Sequence, residues 1–290
     1  MEILRYAAFT TVPDGGNPAG VVLDATGASD AEMQRMAAEV GYSETAFLVP
    51  EAEPGAFAVR YFSPLAEVPF CGHATIAAAV ANARRNGPGV LRFATMAGPV
   101  AVRTDMDDRG AITATLVSVP PRTVALTPAD RDELLAALGW SAAELDPALP
   151  ARVAFAGAWH PVLAAATRTR LADLDYDFDR LGALMAARGW TTVALVHREH
   201  ETLFHARNPF PPGGVREDPA TGAAAAALGG YLRELGLVTP PATVTVHQGD
   251  DLGRPGVLTV RIPADPDTGI AVSGSAVPLP EVAAHDAALG

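Results

Sequence analysis

Two alanine-rich stretches constrain this chain more than any other feature. Residues 73–86 and 220–235 read as helices, and neither has a polar face. Ala74, Ile76, Ala77, Ala78, Ala79 and Val80 close the first helix all round, and residues 223–228 do the same for the second. A helix that is apolar on every side is buried rather than laid on a surface. Small side chains let a sheet approach closely from all directions. Both stretches are too short to span a membrane, and both end in polar residues, Asn82 and Arg84 in one, Arg233 and Glu234 in the other.

The surrounding pattern repeats. Further helices are predicted at 30–40 with Ser29 as N-cap, at 128–138 with Thr127 as N-cap and Pro128 at the first helical position, and at 179–188 ending at Gly189. Alternating or β-branched runs predict strands at 3–10, 45–49, 56–62, 100–104, 112–117, 153–155, 191–196, 202–207, 243–247, 257–262 and 270–272. Helix starts at Asp30 and Asp179, strands at Thr45 and Thr191, strands at Ala56 and Thr202, and the glycines Gly72 and Gly222 are offset by 146 to 150 residues. This order implies an internal duplication, each half wrapping strands around one alanine-rich helix.

Composition narrows the function. The 290 residues carry a formal net charge of −12, which repels phosphate backbones, so neither nucleic acid nor an anionic membrane is an expected partner. The single cysteine, Cys71, excludes an intramolecular disulfide and any cysteine-rich zinc site, and it fits a reducing compartment. No basic stretch followed by an apolar run opens the sequence, and a cytoplasmic location is the expectation. Phosphate-cradling, dinucleotide-binding and nucleophile-elbow glycine motifs are absent, so no cofactor is expected. His197 and His200 lack convincing ligand spacing, and no metal ligands are assigned.

Chemistry points to the two buried helix starts. The first N–H groups of a helix have no partner within it, and that end carries partial positive charge. Such an end binds a carboxylate without lysine or arginine. Each start here is led by a glycine, which permits close approach. His73 stands at one start, and Asp218, with Glu217 beside it, at the other. Glu44 precedes the strand at 45–49, while Gly189-Trp190-Thr191 occupies the matching stretch of the second half, so this acid occurs on one side only. Duplication preserves scaffold, and a one-sided acid is a candidate for function. Each residue also has a structural reading: Glu44 as a solvated loop carboxylate, His73 as a cap or a satisfied core histidine, Asp218 as a cap, and Cys71 as a small buried apolar residue.

At these residues the sequence resembles the PhzF-like family of phenazine biosynthesis, relatives of diaminopimelate epimerase. The resemblance runs through Gly16-Asn17-Pro18-Ala19-Gly20-Val21, Ser43-Glu44-Thr45-Ala46-Phe47, and Phe62-Ser63-Pro64 to Cys71-Gly72-His73-Ala74-Thr75. It continues through Gly214 and Glu217-Asp218-Pro219-Ala220-Thr221-Gly222 to Gln248-Gly249 and Gly253-Arg254-Pro255. It implies an α+β, diaminopimelate epimerase-like fold of two pseudo-symmetric lobes, each a strand-rich barrel around a central helix. The lobes are expected at 1–118 and 119–275, with 276–290 returning to the first. It implies a homodimer and Glu44 as general acid and base without a cofactor. It also implies that His73 and Asp218 hold and polarise the substrate, and that Asn17, Cys71, Gly72, Thr221, Gly222 and Ala223 contact it.

Two departures stand out. The diaminopimelate relatives use one cysteine per half, whereas the second motif here begins at Asp218 and has no thiol. Many members have serine after Thr-Gly, where this chain has Ala223. The family's best-known reaction is isomerisation of trans-2,3-dihydro-3-hydroxyanthranilate. The expectation is a cofactor-independent isomerase or epimerase acting on a small carboxylate. The other reading is a non-catalytic carboxylate-binding protein on the same scaffold.

Overall fold

The computed structural model describes residues 1–280. The first half contains β1 (Leu4–Ala8), β2 (Asn17–Val22), α1 (Asp30–Val40), β3 (Thr45–Pro50), β4 (Ala56–Phe62) and β5 (Glu67–Val68). It continues with α2 (Gly72–Asn86), β6 (Val90–Thr95), β7 (Gly98–Met106) and β8 (Ile112–Val117). The second half contains β9 (Arg122–Ala125), α3 (Pro128–Leu138), β10 (Arg152–Phe155), β11 (Trp159–Ala164), α4 (Arg168–Ala172) and α5 (Phe178–Arg188). Then come β12 (Ala194–His200), β13 (Leu203–Phe210), β14 (Val215–Asp218), α6 (Gly222–Glu234), β15 (Ala242–Gln248), β16 (Gly256–Ile262) and β17 (Ala271–Pro278).

The pairing repeats as the offsets imply. In the first half the antiparallel pair β1–β2 joins the pair β3–β4 through a parallel contact, and β4 joins β6–β7–β8 through another. In the second half β10–β11, β12–β13 and β15–β16–β17 follow the same scheme, again with two parallel joins. Each parallel join needs a crossover, and helices supply it: α1 and α2 in one half, α4, α5 and α6 in the other. β17 also pairs with β8 and β1, which closes the first lobe into a ring, β1–β2–β3–β4–β6–β7–β8–β17. The result is an α+β fold of two pseudo-symmetric lobes. β17 straddles residue 275, where the sequence reading divides the lobes, and residues 281–290 of the expected return lie outside the described residues.

The central helices pack as their composition requires. Residues His73 to Ala83 of α2 are all buried, and so is nearly all of α6 up to Leu232. One cluster joins both helices to Tyr61, Phe93, Phe204, Val244 and Val260. A side chain of that size contributes roughly 1.5–3 kcal/mol when fully buried. Around α6 the strands come so close that glycine is needed. A Cβ at Gly229 would lie 2.8 Å from both Ile270 and Val260, and one at Gly230 would lie 2.4 Å from Pro121. α3 and α5 cover the outer face of the second lobe with Leu134, Leu138, Leu181 and Met185, and α1 covers the first with Met33, Met36 and Ala37.

The structure adds strands at β2, β5, β6, β9, β11 and β14 that the sequence pattern did not predict. It also starts β12 at Ala194 rather than at 191. β2 shows why. Its Asn17-Pro18 and Gly20 read as turn residues, yet Pro18 pairs only with β1, because the ladder to β3 begins at Gly20. Proline is tolerated where its missing N–H has no partner strand. Gly20 is required because a Cβ there would lie 2.4 Å from Thr45 Oγ1.

Candidate active site

The six α-helices of the described residues differ at their N-termini. Ser29, Thr127, Thr167 and Asp177 cap α1, α3, α4 and α5 with side-chain oxygens. The two buried helices have no such bond: Cys71 precedes α2 and Thr221 precedes α6, and neither side chain caps. Capping satisfies one of the free N–H groups and is worth about 1 kcal/mol. The two central starts forgo it and keep donors for something else. They also face each other. A Cβ on Gly72 would lie 3.9 Å from both Ala223 N and Gly222 Cα.

The α2 start carries a compact set of reactive groups. Tyr61 Oη lies 2.7 Å from Thr75 Oγ1, which donates to Cys71 O at 2.7 Å and so fixes the first turn. Glu44 sits just before β3 and its side chain is only 14% exposed. Its Oε2 lies 3.4 Å from His73 Nε2 and accepts from Cys71 Sγ at 3.5 Å. Ser43 Oγ lies 3.3 Å from His73 Nε2. Aligned on the first residues of the parallel ladders, Gly20 with Thr45 and Val162 with Ala194, the second-half counterpart of Glu44 is Val193, which is fully buried. The stretch 189–191 named from sequence offset lies before it. The acid remains one-sided, and its counterpart is apolar.

The α6 start is a hydrogen-bonded lattice. Asp218 ends β14, Oδ2 accepting from Thr221 Oγ1 at 2.5 Å and Oδ1 from Asn17 Nδ2 at 2.7 Å. Asn17 also donates to Ala220 O at 3.1 Å and lies 3.1 Å from His73 Nδ1, so it ties the two starts together. Gln248 accepts from Thr221 N at 3.0 Å and donates to Asp218 O at 2.7 Å. Arg254 donates to the carbonyls of Gly15 and Gly16, both at 2.9 Å, and thereby places Asn17. Gly16 has a φ of +58°, and a Cβ there would lie 2.1 Å from Ala8 O. Aligned on the helix starts, Thr221 rather than Asp218 is the counterpart of Cys71, and Asp218 lies three residues upstream. Glu217, next to Asp218, forms a nearly buried pair with Arg207 at 2.6 Å, which also donates to Ala172 O. That pair holds the hairpin that ends in Asp218.

Electrostatics follow from burial. Desolvation raises the Glu44 carboxyl above its ordinary value, against hydrogen bonds from Ser43 and Cys71. Burial also raises Asp218, opposed by His73, Thr221 and Asn17, and pushes the Cys71 thiol well up, with Glu44 adding to the effect. The same burial lowers His73 and favours neutral imidazole, while Asp218 pulls the other way.

The structure brings together Asn17, Glu44, Cys71, Gly72, His73, Asp218, Thr221, Gly222 and Ala223. Sequence reading gave no site role to Ser43, Gln248 and Arg254, although all three lie in quoted motifs. Ser43 and Gln248 find their partners, His73 in one case and Asp218 and Thr221 in the other, within their own half, whereas Arg254 finds Gly15 and Gly16 in the far half. Glu44, Cys71 and His73 are the one group of three metal-ligand types within mutual reach among the described residues. His197 faces the carbonyl of Ala165 at 3.2 Å. Among the described residues no helix is long and apolar enough to cross a membrane.

A family model described as phenazine biosynthesis-like protein, PhzC-PhzF, matches residues 6–281. A Deinococcus radiodurans protein described as an uncharacterized isomerase is 37% identical over 264 residues, 89% of this chain and 85% of that protein. The trans-2,3-dihydro-3-hydroxyanthranilate isomerase of Pseudomonas chlororaphis is 30% identical over 273 residues, 93% of this chain and 94% of its own. The crystal structure of the Bacillus anthracis phenazine biosynthesis protein of the PhzF family matches with a TM-score of 0.85 at 25% identity, over 97% of this chain and 98% of that one.

Proposed function

This chain belongs to the phenazine biosynthesis-like family, with the diaminopimelate epimerase-like fold and the isomerase character of its relatives, and we propose that it moves a proton between two carbons of a small carboxylate-bearing substrate. Glu44 carries that proton. The observation behind this reading is its one-sided placement beside the uncapped start of α2, within 3.5 Å of both Cys71 and His73.

The chemistry balances within the substrate. Glu44 as carboxylate takes a proton from one carbon, and the electron pair left behind delocalises toward an adjacent unsaturated group. As the conjugate acid, Glu44 returns the proton to a second carbon. One group does both steps best when its pKa lies nearer neutrality, and burial moves Glu44 in that direction. The substrate carboxylate is held by the free N–H groups at Gly72, Gly222 and Ala223, with Thr221 and Cys71 alongside. His73, Asn17 and Asp218 orient it and stabilise developing charge with little reorganisation. No cofactor enters this scheme. The Pseudomonas relative isomerises a cyclic amino-acid-like carboxylate, and we extend that class to this chain. We also read the chain as a cytoplasmic homodimer, which light scattering on the purified protein tests for its oligomeric part.

The test is a panel of cyclic and amino-acid carboxylates incubated with the enzyme in deuterium oxide. Deuterium at one substrate carbon with the wild type, and none with Glu44→Gln although the compound still binds, is the expected result. Exchange that survives Glu44→Gln removes Glu44 from the mechanism. Binding without exchange for the wild type turns the protein into a carboxylate receptor.

A further inference from the structure

Phe9 is the one residue other than glycine with a positive φ, +63°, among the described residues. A bulky side chain on left-handed backbone is strained, and every other position of that kind here is glycine. Residues so held cluster at functional sites, where the surrounding structure over-determines them. Two bonds hold Phe9. Its N–H donates to Ser275 O in β17 at 2.7 Å, and its carbonyl accepts from Val257 N in β16 at 2.8 Å. The residue therefore carries the end of β1, in the first lobe, onto strands of the second. Its ring is buried, 1% exposed, and wedged between two glycines. A Cβ at Gly274 would lie 2.3 Å from the ring's Cδ1, so β17 has room for the ring only because that position is glycine. On the other side the ring tip faces the first residue of α6, where a Cβ at Gly222 would lie 3.3 Å from Cζ.

We propose that the Phe9 ring is the buttress that sets how closely the start of α6 approaches the start of α2, and so positions the N–H groups of Gly222 and Ala223 against Gly72. A Cβ on Gly72 would lie 3.9 Å from both Gly222 Cα and Ala223 N, so Gly222 is held between the ring and the facing helix start. A glycine at position 9 would relieve the backbone but leave a void between Gly274 and Gly222. The ring, not the turn, is what the position needs. Phe9 acts through Gly222 and is a positioning residue. The same segment runs on to Asn17, whose amide donates to Asp218 and to Ala220 O, so one short stretch fixes the α6 start twice. The inference rests on the reading above, in which Gly72, Gly222 and Ala223 hold the substrate carboxylate. Misplacing such groups by about 1 Å can cost about 10²-fold.

The test needs no identified substrate. The amide signals of Gly72, Gly222 and Ala223 are followed by NMR in the full chain, with sodium benzoate as a carboxylate probe. Benzoate should shift all three in the wild type. Phe9→Leu, with an unchanged circular-dichroism spectrum, should weaken benzoate binding at least about tenfold and speed hydrogen exchange at Gly222 and Ala223 at least about tenfold. Gly274→Ala displaces the ring without removing it and should act in the same way; it decides the matter if Phe9→Leu does not fold. Phe93→Leu is the control for a role in stability alone. Phe93 is equally buried but packs edge-on against Phe57 in the first lobe, and its loss should lower the melting temperature while leaving both readings unchanged. Wild-type affinity and exchange in Phe9→Leu and Gly274→Ala, or an equal loss in Phe93→Leu, overturns the proposal. If benzoate shifts none of the three amides in the wild type, the carboxylate role of those donors fails, and the exchange rates alone decide the role of Phe9.

Discussion

The two helix starts share a backbone plan and differ in almost every side chain that matters. At α2 the groups are titratable and loosely joined: Glu44, Cys71 and His73 meet at 3.4–3.8 Å. At α6 they are locked: Asp218, Thr221, Gln248 and Asn17 meet at 2.5–3.0 Å, and each is buried. Long contacts leave room for a proton to move or a substrate to enter, whereas short ones fix geometry. A duplicated scaffold has thus divided its labour. One start keeps reactive groups, and the other became a rigid wall that places Asn17 against them.

Substitutions can break this contrast. Glu44→Gln should have the largest effect, lowering turnover by roughly 10²–10⁴-fold, the range for losing a general acid–base group. It should also raise stability above pH 4.5. The folded-state pKa of Glu44 lies above its ordinary value of 4.5, so between the two the folded protein binds more protons than the unfolded one, and stability falls as pH rises through that window. The amide escapes this loss. Thermal melts of both proteins should coincide below pH 4.5 and separate above it. A Glu44→Gln protein no more stable at pH 7 would mean that the acid is not desolvated.

Asn17→Ala tests the link between the starts. It strips a donor from buried Asp218 Oδ1 and from Ala220 O, and should cost about 1–3 kcal/mol in urea unfolding. A loss under about 0.5 kcal/mol would show that the starts are not coupled through this amide. The buried helices themselves can be compared next. Gly229 of α6 corresponds to Ala79 of α2 at the 150-residue offset of the helix starts. Gly229→Ala should overpack against Ile270 and Val260 by about 1–3 kcal/mol, offset by about 1 kcal/mol of helix propensity. Ala79→Gly should cost about 1 kcal/mol. Equal and opposite changes in the two would show that the lobes pack alike. The smallest effect belongs to Ala223→Ser, within about 0.5 kcal/mol in stability. Any change should fall on KM for a substrate with a hydrogen-bonding group near that helix start, and none on the melting curve.

The central helices were legible because their alanines leave no second interpretation, and the repeat was legible because its landmarks keep nearly constant spacing. Glu44 stood out because its partner half lacks an acid, although strand register and not sequence offset identifies Val193 as the true counterpart. What stayed hidden were interactions of large separation. Asn17 reaches Asp218 across 201 positions, and Arg254 reaches Gly15 across 239. Local propensity carries no trace of such contacts. β2 was hidden for a different reason: its proline and glycine are turn-formers that the neighbouring strands happen to require.

The shared strand has a consequence for how the chain is made. β1 and β8 both pair with β17, which ends at residue 278 of 290. During synthesis the first lobe therefore emerges with two unpaired edges and holds them open while some 150 further residues are added. Open edges recruit other strands, and the last pairing to form has the greatest sequence separation and is the slowest to find. A ribosome-bound chain halted near residue 270 should bind chaperone, and the same chain extended through β17 should let it go.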